Sequence, residues 1–176
     1  MLDYTKEEIL SLIENNPEQF NEWKKDKEDI DLSEVDFSNM TIRDVDFSDV
    51  DLNSSSFSDC TLTLVSFYGS DLTAVDFTRA VVTECDFSES LLTGADCSYA
   101  QMTYCNFTDC DMAGAILSET DLTSSDLSAS ENLKSSRYDN DTIWPDDDML
   151  PEDFDMTCSD DLSSLKDEED APSEEY

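Results

Sequence analysis

The chain holds many carboxylates and few other reactive groups: 45 Asp and Glu stand against 9 Lys and Arg, with no histidine, three glycines and six cysteines. Paired carboxylates suit general acid–base catalysis or hard cations, and thiolates suit nucleophilic catalysis or zinc. The spacing argues against each use. The acids recur at a fixed interval, which makes repetitive solvated rows and not a cleft where one pKa is driven away from its neighbour's. The late acidic runs lack the spacing and central glycine of a calcium-binding EF-hand loop. No Ser or Cys has a plausible base, and with three glycines there is no phosphate-cradling loop. Cys60, Cys85, Cys105 and Cys110 fall at positions filled mostly by Val, Ala and Ser, and Cys97 replaces a Phe. They read as core thiols packing as small hydrophobes, with a bridge between Cys85 and Cys105 left open. The chain is therefore read as not an enzyme, with no cofactor and no metal.

A formal net charge of −36 excludes direct binding of nucleic acid or of an anionic membrane, since both would repel it. A basic protein is the natural partner. No run near the start resembles a signal peptide and no stretch approaches the roughly 18 apolar residues of a membrane span, so a cytoplasmic location is expected.

The acids are positioned by a five-residue pattern that recurs twenty times without interruption over residues 30–129. The middle residue is large and apolar throughout, as in Leu32, Phe37, Ile42 and Phe47. The residue two before it is small or β-branched (Val35, Val45, Val50, Cys60), the one just before is usually Asp, and the one just after is usually Ser or Thr. Two inward positions in five fit neither a helix nor a simple strand; a fixed short period signals a solenoid. A second period lies inside the first. Phe47, Phe67, Phe87 and Phe107 share one phase of a twenty-residue repeat, Leu32, Leu52, Leu72 and Leu92 another, Phe37, Phe57 and Phe77 a third, and Ile42, Leu62, Val82 and Met102 the fourth. Four pentads per square turn would stack each set on one wall. Five turns at a ladder spacing of about 4.8 Å make a rod about 24 Å long.

These pentads resemble those of the pentapeptide-repeat protein family, whose motif is a small residue, Asp or Asn, Leu or Phe, and two mostly polar positions. The resemblance implies an all-β solenoid, a right-handed quadrilateral parallel β-helix of about five coils. Departures are Ser55, Ser70, Ser90 and Ser125 in the small column, and Val81, Leu91 and Ile116 where Asp or Asn is usual. Four segments follow. Residues 1–29 read as a short N-terminal helical cap: Thr5 and Glu8 form a capping-box pattern ahead of Ile9 and Ile13, and a second helix carries Phe20 and Trp23. Residues 30–129 are the β-helix. Residues 130–156 read as a C-terminal cap segment, with Tyr138, Ile143, Trp144 and Phe154 folding over the last coil. Residues 157–176 are an acidic, largely disordered tail that cannot bury enough apolar area to offset ordering.

Dividing surface charge by wall gives −5 for the Leu32 wall, −4 for the Phe37 wall, −2 for the Ile42 wall and −6 for the Phe47 wall. On the last, Asp46, Asp49, Asp86, Glu89, Asp109 and Asp126 are expected to form an acidic stripe free of basic residues. The Ile42 wall is expected to turn Leu64, Val81 and Tyr104 outward, a candidate apolar contact or self-association face. Two functions fit. One is a DNA mimic whose carboxylates replace phosphates in the basic site of a DNA-binding protein, such as a topoisomerase, nuclease or host defence enzyme, and inhibit it. Within the resembled family, quinolone-resistance proteins are held to act this way on DNA gyrase, although this chain lacks the loop insertions of several of them. The alternative is an interaction scaffold or regulator that uses the apolar wall, with acidity serving solubility. A homodimer is open in either case.

Overall fold

The twenty-residue phase seen in the sequence is the register of the fold. The computed structural model describes residues 4–156, and within it β1 (Thr41–Arg43), β2 (Thr61–Thr63), β3 (Val81–Thr83) and β4 (Gln101–Thr103) form a parallel sheet in chain order. Ile42 pairs with Leu62, Leu62 with Val82, and Val82 with Met102. Single parallel bridges repeat the same offset elsewhere, among them Asp31↔Asp51↔Asp71 and Asp46↔Ser66↔Asp86. The Leu32 N–H donates to the Asp51 carbonyl at 2.7 Å and the Asp51 N–H to the Ile30 carbonyl at 3.0 Å, so each turn satisfies the backbone of the next. The architecture is a β-helix solenoid.

Bends between pentads come from the fifth column. From Glu34 to Ser124 these residues have φ between +54° and +67° whatever their type, including Leu64, Arg79 and Tyr104. A non-glycine residue in the left-handed region costs about 1–2 kcal/mol. The ladder and core offset that cost: the Ser70 N–H closes one such turn onto the Phe67 carbonyl at 3.0 Å, and equivalent bonds recur along the rod. Inside, Phe47, Phe67, Phe87 and Phe107 stack with ring centroids 5.5, 4.9 and 5.0 Å apart. Phe37, Phe57 and Phe77 stack on the opposite wall at 4.6 and 5.3 Å, and the two columns meet edge to face. Each aromatic pair adds about 0.5–1.5 kcal/mol beyond burial.

Small-column departures are accommodated individually. Ser70, Ser90 and Ser125 hydroxyls donate to the buried carbonyls of Phe67, Phe87 and Met102 at 2.6–2.7 Å, whereas the Ser55 hydroxyl is buried with no partner. Cys60, Cys85, Cys97, Cys105 and Cys110 are all buried free thiols, so Cys85 and Cys105 are unbridged.

At the N-terminal end, α1 (Lys6–Asn15) starts on a Thr5–Glu8 capping box and α2 (Pro17–Lys24) on Asn16. Ile9, Ile13 and Phe20 are buried, and the Phe20 ring lies 5.6 Å from Phe47. The Asn21 side chain covers an open edge: its amide N–H donates to the Asp44 carbonyl at 2.8 Å and its oxygen accepts from the Asp46 N–H at 2.9 Å. It takes the place of a peptide group on a preceding strand.

At the other end, the pairing outlasts the pentads. Glu131 bridges Asp111, Arg137 bridges Ile116 and Ile143 bridges Asp121, at offsets that grow from 20 to 21 to 22 residues. Single inserted residues are absorbed, and Leu133, Tyr138 and Leu150 still reach the core. Tyr138, Trp144 and Phe154 cluster with centroids 4.9–5.7 Å apart. Ile143 departs from expectation. Its bridge to Asp121 puts it in the outward column, and it is 52% exposed instead of covering the core. The expected disordered tail, 157–176, lies outside the described residues.

Candidate partner-binding surface

The second-column carboxylates are pinned by their own backbone. Asp46, Asp51, Asp71, Asp86 and Asp126 each accept, through Oδ1, the N–H two residues on at 2.9–3.0 Å. Ser in the fourth column often adds its hydroxyl, as Ser88 does to Asp86 at 2.6 Å. Such Asx turns follow from an Asp-apolar-Ser/Thr order at a bend. They hold Asp36 below the usual carboxylate range through the Ser38 hydroxyl and N–H. Asp31 is held down at about 2 by the Ser33 hydroxyl and N–H, joined by Lys6.

The six residues expected to form an acidic stripe separate into two columns. Asp46, Asp86 and Asp126 lie in one, but Ser66 and Asn106 intervene in register. Asp49, Glu89 and Asp109 lie in the fifth column, exposed at positive φ, with Gly69 between Asp49 and Glu89. The expectation of a stripe free of basic residues is corrected at Asp46. Lys24 of α2 approaches it to 3.5 Å, because the N-terminal helices pack over the first Phe of this wall. Burial pushes the Asp46 carboxyl up, but hydrogen bonds from Ser48 and the charge of Lys24 bring it below its ordinary value. Asp86 also accepts from the Asn106 amide at 3.1 Å.

A denser row lies on the adjoining Leu32 wall. Asp31, Asp51 and Asp71 are in register on consecutive turns, and with Asp29, Asp49 and Gly69 they line an open groove of about 390 Å³. Division by wall hid this set, since a corner belongs to two walls. Three consecutive Asp at one phase were the available signal.

On the Ile42 wall, Leu64, Val81 and Tyr104 are 41%, 38% and 62% exposed, as expected. They do not form one patch by register: Leu64 and Tyr104 share the fifth column with Glu84 between them, while Val81 lies in the second column between Thr61 and Gln101. Arg43 is tied to Asp44 at 3.1 Å.

Burial pushes the Cys60 and Cys85 thiols up to about 11 and Cys105 and Cys110 up to about 12, so they are protonated near neutrality. Among the described residues no three His, Cys, Asp or Glu side chains are grouped to hold a metal ion, and no helix is long and apolar enough to cross a membrane.

The sequence matches the family described as "Pentapeptide repeat region" over residues 28–96 and "Pentapeptide repeats (8 copies)" over residues 90–128. No curated protein matches. Similar solved structures include a pentapeptide repeat protein from the Arabidopsis thaliana thylakoid lumen, at 29% identity over 67% of this chain and 70% of that one, with a TM-score of 0.41. The Rfr23 protein of the cyanobacterium Cyanothece is similar at 20% identity over 72% of this chain and 99% of its own, TM-score 0.41. A third is QnrB1, a plasmid-mediated fluoroquinolone resistance protein, at 15% identity over 80% and 84%, TM-score 0.32.

Proposed function

Since the chain belongs to the pentapeptide-repeat family, we propose that it acts without catalysis, as an acidic rod that occupies the nucleic-acid site of a DNA-binding protein and inhibits or modulates it. Charge density on a rigid frame carries this reading. Residues 30–129 hold nineteen carboxylates and two guanidiniums, a net of minus seventeen. Spread over about 24 Å of axis, that is one negative charge per about 1.4 Å, against about 1.7 Å for duplex DNA. The Asx turns fix second-column carboxylates before a partner arrives, so little side-chain entropy is lost on binding. Acidity of this kind steers a basic partner and makes its association fall steeply with salt. Rod and partner meet in the cytoplasm in this reading, with the rod as a monomer or homodimer.

The test is retention of proteins from a host lysate on the immobilised rod at low and high salt, with duplex DNA as competitor. A DNA-binding protein retained at low salt and displaced by DNA supports the reading. Replacing Asp49, Asp51, Asp71, Asp86 and Glu89 by Asn or Gln should abolish that retention. A second reading has its own observation, the exposure of Leu64, Val81 and Tyr104 on the wall that carries the β1–β4 sheet. If the retained partner ignores both salt and DNA but is lost on Leu64→Asp or Tyr104→Asp, the rod is an interaction scaffold.

A further inference from the structure

Tyr68 stands on the acidic Phe47 wall where the repeat does not call for it. The equivalent residues on neighbouring turns are Ser48, Ser88 and Thr108, and the Tyr68 ring is 38% exposed. Its backbone carbonyl accepts the Asp49 N–H at 2.8 Å, so Tyr68 and Asp49 are neighbours on consecutive turns, and the Glu89 carboxylate beside its hydroxyl raises the phenol above its usual range. The next residue is Gly69, at φ +62°. A Cβ there would meet the Asp49 Oδ1 at 2.8 Å, so the Asp49 carboxylate lies over the bare backbone of Gly69, at the rim of the acidic groove. The corner therefore offers an exposed aromatic ring and a carboxylate on consecutive turns. A planar guanidinium uses both, stacking on the ring while its fork donates to the carboxylate; an ammonium is a strongly hydrated point charge that gains less from the ring.

Resting on the acidic-rod reading, we infer that this corner selects arginine over lysine in the basic partner, with one guanidinium stacked on Tyr68 and donating to Asp49. The test is fluorescence anisotropy of the full chain with labelled oligoarginine and oligolysine peptides of equal length at low salt. The wild-type chain should favour the arginine peptide by about two- to fivefold. Tyr68→Ala should erase that ratio while leaving oligolysine affinity unchanged, and Tyr68→Phe should keep most of it. The side chain is at the surface, so melting curves of the variants should match the wild type. Equal binding of the two peptides, or a ratio that survives Tyr68→Ala, overturns the inference and leaves the acidic rod standing. Failure of both peptides to bind overturns the rod and the inference together.

Discussion

Replacing Asp51 by Asn should stabilise the fold and weaken partner binding at once. Asp51 lies in register between Asp31 and Asp71 and is exposed. At the ladder spacing of about 4.8 Å, each neighbouring carboxylate repels it by about 0.9 kcal/mol in water. A Debye length of about 10 Å at 0.1 M salt trims the pair of terms to about 1 kcal/mol, and one of about 3 Å at 1 M salt leaves about 0.3 kcal/mol. Lys6, 3.2 Å from Asp31, offsets part of one term, so the expected gain at 0.1 M is about 0.5–1 kcal/mol. The substituted carboxamide retains an Oδ1 for the Asn53 N–H that Asp51 now accepts at 3.0 Å, so the turn survives the change. Urea unfolding of both proteins at 0.1 M and 1 M salt reads the stability, and DNA competition for the captured partner reads the binding. A loss of stability, or a gain that salt does not diminish, would refute like-charge repulsion along this row.

Ser55→Ala removes a buried hydroxyl with no partner and should raise stability by about 1 kcal/mol, whereas Ser70→Ala removes the hydroxyl's bond to the Phe67 carbonyl, which keeps only the Ser70 N–H, and should lower it by a similar amount; paired urea titrations compare the signs. Asn21→Leu uncovers the Asp44 carbonyl and Asp46 N–H and should cost about 1–2 kcal/mol, read from the denaturant midpoint at unchanged slope. The core thiols should resist alkylation at pH 8 until urea unfolds the chain. Their folded pKa values lie above the unfolded value of 9.0, so the stability they contribute is whole below pH 9 and is lost as pH rises through about 11 for Cys60 and Cys85; an alkaline melt of Cys85→Ala should show a shallower decline than the wild type.

The interior was legible in the sequence because one rule repeats there. A middle residue of fixed size every five positions, and Phe at every second phase, specify both the inward columns and the twenty-residue register found at Ile42, Leu62, Val82 and Met102. The ends were less legible, since the contacts there obey no period. Asn21 as a stand-in peptide, Lys24 on Asp46, and the outward Ile143 each depend on where a non-repeating segment docks. The acidic surface was legible in amount and misread in arrangement. Counting charge by wall favoured Phe47 over Leu32, while register favours Asp31, Asp51 and Asp71, and the corner residue Asp49 joins the two walls.

That arrangement bears on why the surface is so acidic. In-register like charges oppose folding and are not needed for the Phe columns to stack. The small column shows how freely the interior accepts alternatives: Val, Ala, Cys and Ser all occupy it, with the Cys60 thiol and the Ser70 hydroxyl bonded to buried carbonyls. The outward columns on the Ile42 wall show that Thr, Val and Gln serve as well as Asp for register. In the acidic-rod proposal, a cationic protein surface turns the mutual repulsion of Asp31, Asp51 and Asp71 into binding free energy.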